Sequence, residues 1–145
     1  MKISIDENIK YGDIEIDIKC PMITEQIEEI IAQLSLYNNT IIGKLDGSQH
    51  ILKFSEILYF DTTDKKTFIY TDGKVYETPL RLYQLEEKIV GMSFIKVSKS
   101  AILNLKRVKI IDSTLNGKLI ATLTNDEKIE ISRMYVPVLK EKLGI

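Results

Sequence analysis

The sequence predicts a β-rich α+β fold: about ten short strands with two short helices, preceded by a strand–strand–helix extension. Three observations carry this prediction. After residue 40 the apolar residues fall in short runs punctuated by Asp46-Gly47, Asp72-Gly73 and Asn116-Gly117, pairs suited to tight hairpin turns. Helical spacing recurs in only a few stretches. Residues 2–6 and 13–19 alternate apolar and polar side chains, the period of a half-buried strand. At 145 residues the chain suits one domain with a short appendage.

In chain order, Ile3 and Ile5 share one face of the first alternating segment, and Ile14, Ile16 and Ile18 one face of the second. Asn8 and Tyr11-Gly12 lie between them where a hairpin would turn. Cys20-Pro21 ends the second segment, since proline cannot donate to a ladder. Ile23, Ile27, Ile30, Ile31 and Leu34 then recur at helical spacing. Thr24 is placed to cap this helix, Glu25, Glu28 and Glu29 complement its positive end, and Asn38-Asn39 can stop it. Residues 1–39 are thus read as the extension and 40–145 as the main domain. An extension of that size buries too little to stand alone, so it should pack on the rest or on a second copy.

Strands are expected at 40–45, 49–52, 56–61, 67–71 and 74–77. Thr78-Pro79 then suggests a cap followed by proline at the first helical position, with Leu82, Leu85 and Ile89 on one face and Gly91 at the end. Further strands are expected at 93–97, 101–103, 107–112, 118–123 and 127–131. Ser132 is placed to cap a last helix carrying Val136, Leu139 and Leu143, with Pro137 in its first turn and Gly144 closing it.

Composition narrows function. A single cysteine, Cys20, precludes an internal disulfide and fits a reducing cytoplasm; with the single His50 it argues against a structural zinc site and against Cys-His or Ser-His catalysis. Cys20 is expected to be a half-buried filler. No phosphate-cradling glycine loop, nucleophile elbow or pair of catalytic carboxylates is present, so an enzyme is not expected, nor a cofactor. No apolar run is long enough for a membrane span, and the N-terminus does not read as a secretory signal. The formal net charge of −1 hides an asymmetry: residues 1–45 hold four lysines against eight acids, a charge of −4, and the remainder carries +3. Between Lys96 and Ile111 there are five cations and no acid.

The run Phe94-Ile95-Lys96-Val97-Ser98-Lys99-Ser100-Ala101-Ile102-Leu103-Asn104 resembles the signature of LytTR-type DNA-binding domains. Ile57-Leu58-Tyr59-Phe60-Asp61 resembles the family's first conserved strand, Leu82 and Leu85 its helix before the signature, and Ile131-Ser132-Arg133-Met134-Tyr135 its C-terminal Ser-Arg-Arg-Tyr block. The resemblance spans roughly residues 41–145. It implies small stacked sheets and a reader of double-stranded DNA that inserts strand-end loops, not a recognition helix, into successive grooves. It further implies a transcriptional regulator, here of the small stand-alone kind without a receiver domain. Such members are often encoded beside a small membrane protein, which makes one a candidate partner.

On this resemblance the DNA-binding residues are Thr62, Thr63, Lys65 and Lys66 in one loop, Lys96, Ser98, Lys99 and Ser100 in the signature, and Arg133 in the last block. Cations serve phosphates and hydroxyls can donate to them, while forked donors suit base edges. Lys96 would face away from Lys99 along a straight strand, but a turn near Ser98 breaks that parity. Lys96 stands where the family has arginine and cannot fork, so a phosphate contact is expected. Met134 replaces the second arginine of the last block, in a region that contributes base readout. Asn104 is expected to serve the backbone at a turn, Tyr135 to pack and His50 to sit at a strand edge.

The resulting expectation is a cytoplasmic, non-enzymatic, sequence-specific transcriptional regulator, dimeric through its extension on repeated half-sites. A competing expectation is a protein-interaction module that binds a membrane or regulatory partner without DNA. A sensor of a small ligand held between extension and main domain is a further one.

Overall fold

The computed structural model describes residues 1–145. Ten strands form: β1 (Thr40–Leu45), β2 (Ser48–Lys53), β3 (Ile57–Thr63), β4 (Lys66–Thr71), β5 (Lys74–Thr78), β6 (Phe94–Lys96), β7 (Ala101–Asn104), β8 (Val108–Ser113), β9 (Leu119–Leu123) and β10 (Lys128–Ile131). Three helices accompany them: α1 (Glu25–Ser35), α2 (Leu82–Lys88) and α3 (Val136–Leu143). The larger sheet has the order β2-β1-β5-β4-β3-β7-β6 and the smaller β10-β9-β8; every pairing is antiparallel. The β-rich class, the strand count and the strand positions therefore agree with the sequence-based expectation.

β3 lies inside the larger sheet and is buried on both faces from Ile57 to Phe60, as an unbroken apolar run suggests for a strand covered on both sides. A bulge between Ile57 and Tyr59 shifts its register. Ile57 and Phe60 enter one core, with Ile41, Ile69, Leu85 and Ala32 of α1. Leu58 and Tyr59 enter a second, with Leu103, Leu123, Ile131 and Leu139 of α3. The sheet is thus a wall between two cores, one closed by α1 and α2, the other by the small sheet and α3. Backbones approach closely at Gly43 of β1: an added Cβ would lie 2.6 Å from Tyr76 Cβ.

Most polar groups near the second core have partners, the buried Nε of Arg107 being an exception. Tyr59 Oη donates to Glu127 at 2.8 Å and its ring stacks on Tyr70 at 4.3 Å. Burial, then the bond to Glu127, pushes the Tyr59 pKa far above the ordinary tyrosine value. Arg107 pairs with Asp72. Buried Asn104 donates from Nδ2 to Ile57 O and accepts from Ser93 and Lys106, the backbone role its sequence position suggests.

The extension departs from expectation. Thr24 caps α1, accepting from Ile27 N at 3.4 Å, and Asn39 ends the following turn in the left-handed region. Residues 2–6 and 13–19, however, form no strands. The turn between them does form, with Tyr11 N donating to Asn8 O at 3.1 Å, but no ladder follows. An isolated two-stranded hairpin is marginal in water, and here its isoleucines Ile3, Ile5, Ile9, Ile14, Ile16 and Ile18 all stay exposed. Cys20, expected to be half-buried, is exposed in this same stretch. Elsewhere two caps differ. Thr78 ends β5 and accepts from Leu80 N, so α2 begins later, with Gln84 accepting from Arg81 N at 2.8 Å. Ser132 precedes a single 3-10 turn, Arg133–Tyr135, and makes no side-chain cap bond.

Candidate nucleic-acid interface

Three separate stretches meet at one rim of the larger sheet, where its strands end. The first is the β3–β4 hairpin, whose last pair is Thr63 with Lys66. Its two turn residues, Asp64 and Lys65, both have positive φ, 52° and 65°. Such a turn matches strand twist but favours Gly or Asn at these positions. A lysine there carries backbone strain. Arg81 supports the turn, with Nη1 donating to Lys65 O at 3.4 Å.

The second stretch is the β6–β7 turn. Val97 N donates to Ala101 O at 3.0 Å and Ser100 N to Ser98 Oγ at 3.2 Å, which leaves Lys99 exposed at the tip. The chain does turn at Ser98, so the strand parity separating Lys96 from Lys99 ends there. The third stretch follows β10 and holds Arg133 on the 3-10 turn.

Backbone bonds lock the three together. β7 pairs with β3 through Asp61 and Ala101, and one step beyond, Thr62 N donates to Ser100 O at 2.9 Å. On the other side Ser132 N donates to Val97 O at 2.9 Å. Thr62 Oγ1 also donates to Ser100 O, at 3.3 Å, so its proton serves as a tie inside the protein. Thr63 is exposed and makes no such bond.

The cations divide by whether they already have a partner. Lys65, Lys99 and Arg133 enter no ion pair, and Lys66 has only a long one, 4.0 Å to Glu77. Lys96 is held by Glu86 of α2 at 2.7 Å, and the hydrogen bond to that carboxylate holds its ammonium pKa above the usual lysine value. Lys109 and Arg107 are likewise engaged, by Asp126 and Asp72. The basic run from Lys96 to Ile111 is therefore not one free positive surface.

Two features at this edge have no local sequence signal. The acidic first turns of α1 share a groove with Lys65, Lys66 and Arg81, lined by Glu25, Glu28 and Glu29; Glu28 is paired with Lys44 at 3.1 Å. The β8–β9 turn, residues 114–118, abuts Arg133: a Cβ at Gly117 would lie 3.3 Å from its Cγ and Cδ. Asn116-Gly117 signals a turn, but only the sheet register places it beside Arg133.

No group of three or more His, Cys, Asp or Glu side chains is arranged to hold a metal, and no helix is long and apolar enough to cross a membrane. The family model of the LytTr DNA-binding domain matches residues 47–144. The chain belongs to the LytTR family of DNA-binding domains. It resembles in fold a LytTr DNA-binding domain from Bacillus cereus, with a TM-score of 0.70 at 22% identity, covering 74% of this chain and 98% of that one. It is also similar along its whole length to uncharacterized HTH-type transcriptional regulators of Staphylococcus aureus. The relative in strain MSSA476 is 29% identical over 147 residues, covering 100% of this chain and 99% of its own; that in strain MRSA252 is 27% identical with the same coverage. In this LytTR chain α2 and α3 are separated by five strands, so its helices do not form a helix-turn-helix pair.

Proposed function

We propose that this LytTR protein is a cytoplasmic transcriptional regulator that reads specific double-stranded DNA sites with strand-end loops and catalyses no reaction. One observation carries the reading: the Thr62·Ser100 and Val97·Ser132 backbone bonds bring Lys65, Lys99 and Arg133, which have no protein partner for their charge, to a single edge. Phosphates release counterions when such cations approach them, and Arg133 has the forked donors that guanine edges accept. Thr63, Lys66, Ser98 and Ser100 surround these cations and complete the contact surface. Thr62 ties two loops together, and Lys96 contributes less because Glu86 already neutralises it.

The protein acts as a dimer on repeated half-sites, with residues 1–39 joining the copies. Support comes from the exposed isoleucines of residues 3–18 and from Ile23, exposed just before α1. An alternating segment that finds no partner in its own chain is suited to pairing with another copy. Ala32 of α1 is buried in the first core, so the clean deletion removes residues 1–22 and keeps α1. That truncation should be monomeric by light scattering; one that remains dimeric contradicts the extension's role. For the DNA interface, Lys99→Ala and Arg133→Ala should each weaken binding of the protein's own upstream duplex, and unchanged affinity in both contradicts the assignment.

A further inference from the structure

Two exposed apolar side chains stand on the cationic edge without a structural task. Leu115 is at the tip of the β8–β9 turn and is as exposed as a side chain can be, at 109% of its reference area. The turn does not need it. Thr114 N and Oγ1 both donate to Lys118 O at 3.0 Å, Thr114 Oγ1 also reaches Asn116 at 2.7 Å, and Gly117 supplies the positive φ of 79°. Turn positions of this kind favour small polar residues. Met134 is 73% exposed, whereas its neighbour Tyr135 packs on the second core.

The register puts both beside the DNA-facing cations. Leu119 pairs with Ser113 on one side and with Ile131 on the other. The 114–118 turn and the Ser132–Met134 segment therefore leave the small sheet at the same end. Gly117 lies beside the stem of Arg133, which is 3.3 Å from where a Cβ would stand, and Ser132 is bonded to the Lys99 turn. A DNA duplex lying along Lys65, Lys99 and Arg133 thus meets Leu115 and Met134 as well.

A base edge in the major groove offers donors, acceptors and one apolar group, the C5 methyl of thymine. The Leu115 side chain can pair with neither phosphate nor base, and the Met134 thioether, with no donor and only a weakly accepting sulfur, is poorly suited to either. We infer that Leu115 and Met134 read thymine methyl groups, so that the site recognised by this edge contains thymine beside the base read by Arg133. The inference rests on the DNA-reading function proposed above and adds to it the base chemistry of two further residues.

The test uses the full-length protein and fluorescence anisotropy on its own upstream duplex, compared with duplexes in which deoxyuridine replaces thymine, one position at a time. The replacement removes only the methyl group. Burying one such group is worth about fourfold in affinity, so the wild type should lose about fourfold at one or two thymines. Leu115→Ala and Met134→Ala should bind the parent duplex more weakly and lose the preference at the matching position. Both residues are exposed, so these variants should keep the wild-type melting temperature. A wild type that prefers the native duplex to a scrambled one yet is indifferent to every deoxyuridine overturns the inference and leaves the DNA-reading function standing. So does a loss in Leu115→Ala that is equal on thymine and deoxyuridine duplexes, which would be contact without methyl recognition. Absence of binding to any duplex overturns the DNA-reading function itself, and the inference with it.

Discussion

Residues 13–19 and β3 make an instructive pair. The first, Asp-Ile-Glu-Ile-Asp-Ile-Lys, alternates without a fault and forms no strand; the second, Ile-Leu-Tyr-Phe-Asp-Thr-Thr, hardly alternates and lies between two other strands. The difference is the availability of partners. β3 has β4 and β7 on its edges and a core on each face, whereas the N-terminal segment has nothing beside it in its own chain. The same rule separates lysines. Lys96 has Glu86 as its partner; Lys99, three residues on, is exposed and has no counter-charge in its own chain.

The largest test of this comparison is a pair of core and extension substitutions. Phe60→Ala should cost about 3–5 kcal/mol of unfolding free energy in urea titrations, since Phe60 is fully buried in the first core. Ile16→Ala should leave monomer stability within about 0.5 kcal/mol and lower only the dimer fraction. A large stability loss in Ile16→Ala would show that the segment packs on its own chain after all.

At the interface, Lys99→Ala should weaken DNA binding by roughly tenfold and reduce the salt slope by about one. Lys96→Ala should do clearly less, because removing it costs an ion pair within the protein. Equal effects would erase the distinction drawn between them.

Two smaller effects sharpen the picture. Lys65→Gly relieves a left-handed lysine, so it should stabilise the fold by ~1 kcal/mol while lowering DNA affinity; thermal melts and anisotropy on one preparation would read both. Tyr59→Phe should cost about 1 kcal/mol by removing the hydroxyl bond to Glu127. Its pH dependence is distinctive. A folded-state tyrosine pKa raised by burial and by Glu127 favours the native state below the unfolded value of about 10 and loses that stability as pH rises beyond it. Wild-type stability should therefore fall above pH ~10, and the fall should be shallower in Tyr59→Phe.

Much of this molecule is legible in its sequence, for a physical reason. Asp46-Gly47, Asp72-Gly73 and Asn116-Gly117 mark the turns of three hairpins, short apolar runs mark the other strands, and Thr24 and Gly144 cap helices through their own chemistry. What local pattern cannot supply is a partner distant in the chain. That is why the alternation of residues 2–19 suggests a ladder that does not form, and why nothing near Lys96 in the sequence points to Glu86. Arg81 under Lys65 and the 114–118 turn beside Arg133 escaped for the same reason. The bulge in β3 also has no sequence mark, although it decides which core Leu58 and Tyr59 enter.

The central claim is that unpartnered cations on strand-end loops read a specific DNA site. Its most direct test is fluorescence anisotropy of the full-length protein on its own upstream DNA across a salt series, beside a scrambled duplex and the Lys99→Ala, Arg133→Ala double variant. The expected result is a clear preference for the native duplex, affinity falling steeply with salt, and loss of both the preference and part of the salt slope in the double variant. Equal binding of native and scrambled duplexes, or a double variant indistinguishable from wild type, would contradict it.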